Sequence, residues 1–494
     1  MKEENGTTEI ERRLPGARII RRARVRKLLA LPRVLGVAAL FSTAYGNVGS
    51  SIYYALGVTA LFALGLTPAV FVLAGLIFGL TALTYAEGTA AIPEAGGSSS
   101  FARHGFNELV SFIAAWALLL GYIVTISISA FSVSNYFGVF WPMWLEFPWN
   151  TIGGILVVAS LIFVNVIGIR ETARLNIGLA VLDLVTQIVL VVVGFVFLLN
   201  WQTLIANIHW GVAPTWGQAL YGLSFAMIAY TGIETVSNMA EETANPERTI
   251  PRAVMLVFLA VLIIFAGISL IGLSAMPVVE VDGRYTTELT EVYLEDPVVG
   301  IAHKLPIPAL RRTMELWIGA LAVTILIIAT NAGLIGVSRL TFSMGIYQQL
   351  PPVLSRLHRV YRTPYIAIIV FGIIAMLLII PGRIDFLAEM YVFGAVLAFA
   401  LAHISIIALR IRKPDMPRPF KIPGNIRIRG AEIPVTAILG LIGTMATWTI
   451  VVYTRVAGRW VGLAWVVIGM IVYILYRRAR GLPLTETVRT ETRS

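Results

Sequence analysis

The run Tyr45-Gly46-Asn47-Val48-Gly49-Ser50-Ser51 interrupts the first long apolar stretch of this chain, and Ala229-Tyr230-Thr231-Gly232-Ile233-Glu234 interrupts the sixth. Glycine and small polar residues weaken a helix near its middle. Non-helical backbone at membrane depth is tolerated only where protein or a water-filled cavity satisfies it. Interruptions at corresponding positions in two halves predict inverted repeats and a binding site near the membrane midplane. The alternative is that these glycines only allow neighbouring helices to pack closely.

Around the two interruptions, the chain consists mainly of long apolar runs. Of its 494 residues, 57% are apolar and only 13% are charged, whereas a soluble domain has about 25% charged residues. Such runs predict spanning helices, because the hydrocarbon layer offers no water to an open backbone. The sequence therefore predicts an all-α integral membrane protein with about twelve spans. We expect them near residues 34–60, 67–90, 108–136, 151–169, 174–200, 216–238, 252–276, 314–343, 363–381, 385–409, 433–454 and 458–476.

Lysine and arginine gather at the ends of the apolar runs, mostly on one side of the predicted membrane. The net charge of +11 therefore follows the positive-inside pattern and needs no basic nucleic-acid-binding face. With an even number of spans, both termini are predicted to be cytoplasmic in a multi-pass cell-membrane protein. We expect a basic arm at 1–33, a transporter domain at 34–476 and a cytoplasmic tail at 477–494. The expected partners are the lipid bilayer and a small solute, with no nucleic acid.

Several motifs resemble, in order along the chain, those of the amino acid–polyamine–organocation (APC) superfamily of permeases. They are Ala82-Leu83-Thr84-Tyr85-Ala86-Glu87, Ile92-Pro93-Glu94-Ala95-Gly96-Gly97-Ser98, the sixth-stretch run with Ala240-Glu241-Glu242, Asn245-Pro246 and Ile250-Pro251-Arg252-Ala253, then Arg339, Leu350-Pro351, Arg362-Thr363-Pro364, and Arg418-Pro419-Phe420-Lys421-Ile422-Pro423-Gly424. The resemblance covers about residues 34–476. It implies the LeuT-type fold, in which five spans and five inverted spans are followed by two more. It also implies alternating access around a site between spans one and six.

The two interruptions and the resemblance together give the candidate substrate-binding residues. They are Gly46, Asn47, Gly49, Ser50 and Ser51 in span one, Tyr122 in span three, and Ala229, Tyr230, Gly232 and Glu234 in span six. In the family, exposed amides of span one receive a substrate carboxylate, as helix N-termini suit anions. The family pattern resembles Gly-Ser-Gly-Ile-Phe, and its second glycine is Ser51 here, which adds a hydroxyl and takes up room. Glu234 either caps its half-helix or meets a substrate ammonium.

Acidic residues are unusual inside apolar runs, because a charge is costly to bury in a membrane. Asp183 lies well inside the fifth run, where a carboxylate costs about 2.5–3.5 kcal/mol on insertion scales. Such groups usually face the bundle interior and bind ions or relay protons. Asp183 also stands at a position that resembles the one at which proton-coupled relatives carry a lysine. We expect Asp183 to be the ion-coupling residue, the alternative being a neutral acid that packs against a neighbouring helix. For Glu87 and Glu94 we expect interfacial anchoring or hydrogen bonds to loop backbone.

The leading hypothesis is a permease for amino acids or related amines, without a cofactor and with a proton favoured over sodium as the coupling ion. A sodium-coupled or exchange permease is an alternative. A potassium-type transporter on the same fold is another, although its relatives tend to place acids in span one and residues 28–60 contain none. An enzyme would need a nucleophile–base pair or a metal cluster at membrane depth. No such spacing is present and the chain has no cysteine, so we expect neither catalysis nor a metal site. The solute, transport direction and oligomeric state stay open.

Overall fold

The computed structural model describes residues 35–168, 173–428 and 431–488. Within these residues, ten stretches are long and apolar enough to cross a membrane. One of them, Val37–Ala91, runs through two successive spans, and Tyr365–Ile379 is a further, shorter apolar helix. The predicted all-α multi-pass class, with about twelve spans, is confirmed. The expected arm at 1–33 and the last part of the expected tail, 489–494, lie outside the described residues.

The spanning helices follow the predicted apolar runs closely. In order, they are Val37–Gly49 with Ile52–Ala63, Thr67–Ala91, Glu108–Phe137, Trp149–Ile167, Ala173–Phe197, Trp216–Ala229 with Glu234–Asn238, Pro246–Ala275, Pro308–Ile346, Tyr365–Ile379, Ile384–Arg412, Val435–Thr454 and Val456–Ala479. The largest differences are at the starts of spans seven and eight, which begin six residues before their predicted starts at 252 and 314. Both helices begin at a proline, whose fixed φ and missing N–H suit the first helical position. Their first turns therefore extend beyond the apolar run.

The predicted interruptions of spans one and six are both present, but they differ in form. Span one pauses for only two residues, Ser50 and Ser51, which keep right-handed helical backbone angles. The Ser51 N–H donates to the Val48 carbonyl at 3.1 Å, so the pause is one tight turn. Span six has four residues between its helical pieces, including Gly232 at φ +115°. Only span six therefore departs strongly from helical geometry.

Short elements connect the spans. They are the helices Ser98–Gly105, Trp201–Ala206, Glu288–Glu291 and Pro297–His303, the 3-10 turns Leu64–Leu66, Pro142–Leu145 and Ala240–Glu242, and two antiparallel hairpins that pair Val279–Val281 with Arg284–Thr286 and Asn425–Ile428 with Ala431–Pro434. We call the membrane side of the basic segments the inner side and the opposite one the outer side. By this definition the helix Pro297–His303 belongs to the long outer loop between spans seven and eight.

Span three is central and the last two spans are peripheral. In its most apolar window, 83% of the residues of span three are buried inside the protein, against 22% in span twelve. Span three lies along spans eight and ten, span seven lies along span two, and the outer halves of spans one and six pack against each other. Spans one, three and six thus enclose the region that the sequence indicated as the site.

Candidate functional site

Spans one and six meet where Asn47 crosses the break at Gly232. The Asn47 amide donates to Thr235 Oγ1 at 2.9 Å and to the Gly232 carbonyl at 3.5 Å. A side chain at position 232 would place its Cβ 2.8 Å from Asn47 Nδ2. The positive φ and this close approach both explain why glycine stands here. Asn47 Oδ1 is buried and has no hydrogen-bond partner among the described residues.

Glu234 lies directly after the break, with its carboxylate turned back onto the backbone. Its Oε2 accepts from the Gly232 N–H at 3.1 Å, which satisfies an amide that the break leaves open. Glu234 also interacts electrostatically with Tyr85, Tyr122 and Tyr391. It is 5% exposed, and no described Lys or Arg forms an ion pair with it. Glu234 therefore caps the half-helix in this structure and places a carboxyl group in an enclosed region.

Asp183 bridges the two halves of span one. Tyr45, before the turn, donates to Asp183 Oδ2 at 3.2 Å, and Tyr53, after it, donates to Oδ1 at 2.7 Å. Gln187, one turn along span five, donates to Oδ2 at 2.7 Å and to the Gly49 carbonyl at 3.4 Å. The carboxyl is fully buried. Its three donors are uncharged, so a group inside the membrane has been satisfied by hydrogen bonds from span one and its own helix.

The remaining predicted residues of span one are engaged within that span or in helix packing. Ser50 Oγ donates to the Asn47 carbonyl at 3.1 Å. The Ser51 hydroxyl pairs with that of Tyr54 at 2.9 Å. Gly46 faces Ala180 of span five and Ile325 of span eight, and Gly49 lies under the Tyr45 ring. The N–H of Ser51 is used in the turn, so the amides of this segment are not all free to receive an anion.

The two predicted tyrosines point to different surroundings. Tyr122 Oη accepts from Asn238 Nδ2 at 2.6 Å, on the inner side of the break. Tyr230, next to the buried Ala229, instead donates to the Phe71 carbonyl at 2.9 Å, and its ring packs towards spans two and seven. The structure thus brings Tyr122 close to Glu234 and directs Tyr230 away from the crossing of spans one and six.

Polar contacts cover the site on both sides. On the inner side, Arg339 pairs with Glu242 at 3.3 Å and donates to the Asn238 carbonyl at 3.3 Å. On the outer side, Tyr136 donates to the Tyr53 carbonyl at 2.7 Å and accepts from the Val298 N–H at 3.4 Å. The crossing of spans one and six is therefore flanked by polar contacts on both sides.

Several residues at the site were not anticipated from the sequence. Gln187 lies four residues after Asp183, on the same helix face, and this spacing was a usable signal. Thr235 and Asn238 follow the sixth-span break but carried no signal of their own. Tyr391 of span ten accepts from Thr125 of span three at 2.8 Å, and nothing in the sequence indicates that these residues meet.

Comparisons with known proteins agree with this architecture. Residues 35–475 match the family model described as amino acid permease. The chain is 27% identical over 473 residues to the branched-chain amino acid permease BcaP of Bacillus subtilis (strain 168), which covers 91% of this chain and 94% of that protein. It is 26% identical over 478 residues to the methylthioribose transporter of the same strain, covering 92% and 96%. It is 23% identical over 423 residues to that strain's aspartate-proton symporter, covering 82% and 77%.

Proposed function

The chain belongs to the amino acid permease family of the APC superfamily, and we propose from this that it takes up an amino acid or a related amine together with protons. Membership makes it a multi-pass membrane protein of amino acid transport. The coupling ion, the alternating-access cycle and the residues that bind solute are our proposal. So is the extent of the transporter domain, 34–476, which includes the matched residues 35–475.

The bridge from Asp183 to both halves of span one is the observation that carries this proposal. An ionised carboxylate only accepts hydrogen bonds, whereas a protonated one also donates. In the ionised form Asp183 accepts from Tyr45 and Tyr53 together. Protonation turns one carboxyl oxygen of Asp183 into a donor. The hydrogen bond that this oxygen accepted from one half of span one is thereby weakened. A proton that binds differently to the bridged and unbridged arrangements shifts the population between them.

The proposed solute site is the crossing of spans one and six. Asn47 Oδ1 is an unused acceptor and Glu234 is an acid without an ion-pair partner among the described side chains, so both suit a substrate ammonium. The name of one relative, the aspartate-proton symporter, includes a proton, and those of the others include branched-chain amino acids and methylthioribose. The relatives thus favour amino acids but leave the solute of this chain open.

The first prediction concerns Asp183→Asn, which imitates a permanently protonated acid. A solute is first chosen by thermal stabilisation across a panel of amino acids and amines, because a ligand raises apparent stability by mass action. In proteoliposomes, the variant should bind this solute and exchange it between equal pools. It should fail to accumulate solute under an imposed pH gradient, because its protonation can no longer respond to pH.

Tyr53→Phe is the companion variant to Asp183→Asn and tests the bridge itself. It keeps the titrating acid but removes the hydrogen bond to the second half of span one, so solute binding should persist and pH-driven accumulation should fall. Unchanged pH-driven accumulation by Asp183→Asn would contradict proton coupling through this residue. Uptake by the unsubstituted protein that follows an imposed sodium gradient, and that is lost in Asp183→Asn, would identify sodium as the coupling ion.

A further inference from the structure

The guanidinium of Arg455 contacts side chains of three spans, one, six and ten, at the outer side of the molecule. Arg455 forms the short connection between spans eleven and twelve. Its Cζ lies 4.2 Å from the Phe62 ring centroid, 5.4 Å from that of Phe225 and 5.5 Å from that of Tyr221. Its Nη1 also pairs with Glu389 of span ten at 3.6 Å. A cation over several aromatic faces is attracted by each of them, and more strongly where water is excluded.

The three rings belong to the outer halves of spans one and six. Phe62 stacks on Phe225, with 4.9 Å between the ring centroids and 13° between the ring planes. A Cβ at Gly222 of span six would lie 2.6 Å from Ala63 Cβ and 3.1 Å from its Cα. This close approach makes the two outer halves a single packed unit. Arg455 therefore holds both halves through one aromatic cluster.

Besides the three rings, Arg455 contacts Glu389 of span ten. Glu389 Oε2 accepts from the Gly458 N–H at 3.1 Å, while its Oε1 faces Arg455. Glu389 is thus bound to the start of span twelve and to the connection before it. The aromatic cluster of spans one and six therefore packs against the Arg455–Glu389 ion pair. The cation of this pair comes from the connection between spans eleven and twelve, the two spans that follow the repeats.

We propose that Arg455 is a positioning residue that keeps the outer halves of spans one and six closed over the site. This inference rests on the proposed alternating-access cycle, in which these halves move when the outer route opens. Outward opening must separate Phe62 and Phe225 from the guanidinium or carry the guanidinium with them. Spans eleven and twelve, which lie outside the two repeats, thereby set the balance between closed and outward-open states.

The test measures outer access directly. The chain contains no cysteine, so Thr59→Cys creates a single thiol on the outer half of span one, at a position that is fully buried in the closed arrangement. A membrane-impermeant thiol reagent is added from outside, without solute. Arg455→Ala should speed labelling about tenfold, because loss of a partly buried contact between one cation and three rings changes an equilibrium by that order. Arg455→Lys should restore part of the protection.

Two further variants test whether the change in labelling is specific to this aromatic cluster. Arg459→Ala is the matched control, since Arg459 stacks on Trp460 beyond this cluster and should leave labelling unchanged. Phe62→Leu removes a ring but no charge and should speed labelling like Arg455→Ala, which covers the case in which Arg455→Ala does not fold. Equal labelling rates with and without the cluster would overturn the proposal. Labelling needs neither solute nor a proton gradient, so failure of proton coupling appears only in the uptake assay.

Discussion

At the scale of single residues, a buried ion pair lies on the inner side, away from the proposed site. Glu87 at the end of span two binds both Arg410 Nε and Arg410 Nη2 at 2.7 Å. The same carboxylate accepts from the Ile422 N–H at 2.8 Å and lies 3.6 Å from Arg418. The Glu87 and Arg410 side chains are each 2% exposed. A bidentate, buried pair of this kind leaves a costly unpaired charge when one partner is removed.

We expect Glu87→Gln to destabilise the protein by about 3–5 kcal/mol, the usual cost of breaking a buried ion pair. The amide preserves the shape of the side chain but leaves Arg410 with the more exposed Glu432, 3.2 Å away, as its counter-charge among the described residues. Glu94→Gln, in the loop after span two, is the control. Glu94 is 38% exposed and its two contacts are 3.8 and 3.9 Å long, so we expect a loss of at most about 1 kcal/mol. Thermal unfolding in detergent compares the variants, and equal melting temperatures would contradict the role of Glu87.

The sequence predicted these single residues unevenly. Hydrogen bonding of Glu87 to loop backbone was expected and is confirmed at Ile422, but Arg410 was not foreseen because it lies 323 positions further on. Asp183 was recognised from its burial in an apolar run. Its partners Tyr45 and Tyr53 follow only from how span five packs on span one. The role of a single unusual side chain can therefore be predicted from a sequence. A role that depends on a partner far away in the chain can be seen only once the packing of the helices is known.

At the scale of elements, the two interrupted spans show what composition can predict. Glycine and small polar residues marked both interruptions, and both are present. Composition does not give their size, because Ser50 and Ser51 are compatible with helical angles and keep them. Gly232 adopts a left-handed φ that serine would rarely adopt. The larger break is therefore the one that requires glycine.

The long outer loop contains a helix that begins at Pro297, directly after Asp296, although the Asp296 side chain makes no capping hydrogen bond. This loop packs closely on span one. The approach is so close that a Cβ at Gly57 of span one would collide with the Leu294 carbonyl of the loop. Its Val298 N–H reaches Tyr136 of span three. The loop is thus a cover over the outer half of the site as well as a connector.

Docking of this loop should depend on pH through two acids. Burial raises the pKa of Asp296 from 3.8 to about 7, and burial beside Asp296 and Asp385 raises that of Glu295 from 4.5 to about 7. The docked loop therefore binds protons more tightly than a released one. Docking is most stable at low pH and loses stability as pH rises through about 7. Hydrogen exchange of Pro297–His303, corrected for intrinsic rates, should show stronger protection near pH 6 than near pH 8.

The control for this pH dependence removes both titrating groups. In the double variant Glu295→Gln and Asp296→Asn, positions 295 and 296 remain neutral at every pH, so the protection of the loop should change less between about pH 6 and about pH 8 than in the unsubstituted protein. Equal protection of the unsubstituted loop at both values would mean that these acids stay solvated enough to ionise without cost.

At the scale of the whole molecule, the fold was predictable because its spans are local features and its architecture is a family property. The bounds of each span follow from runs of apolar residues, so most lie within a few residues of the prediction. The order of packing does not follow from hydropathy, because lipid-facing and buried helices are both apolar. Span three and span twelve are both apolar enough to cross a membrane, yet one is central and the other peripheral. The two interruptions and the resemblance to APC permeases together led to the hypothesis of a site between spans one and six.

The orientation of the molecule is the remaining prediction at this scale, and it depends on the parity of the spans. Basic residues gather on one side, and that bias favours the cytoplasmic side. A single miscounted span would exchange the sides of every later loop. The helix Trp201–Ala206, between spans five and six, should therefore lie outside, and position 494, after the last span, should lie inside. The absence of cysteine makes both positions testable with single thiols.

We expect Gln202→Cys to react with an impermeant thiol reagent in intact cells, because Gln202 is exposed in the outer connection. Ser494→Cys should react only after the membrane is permeabilised. Each variant is the other's control, since the first shows that reagent reaches the protein and the second that the membrane is intact. Labelling of position 494 in intact cells, together with labelling of 202, would place the two on one side. An even number of spans would then lie between them, instead of the expected seven, spans six to twelve. The contacts of Arg410 would be unaffected by such a revision, because they do not depend on which side is cytoplasmic.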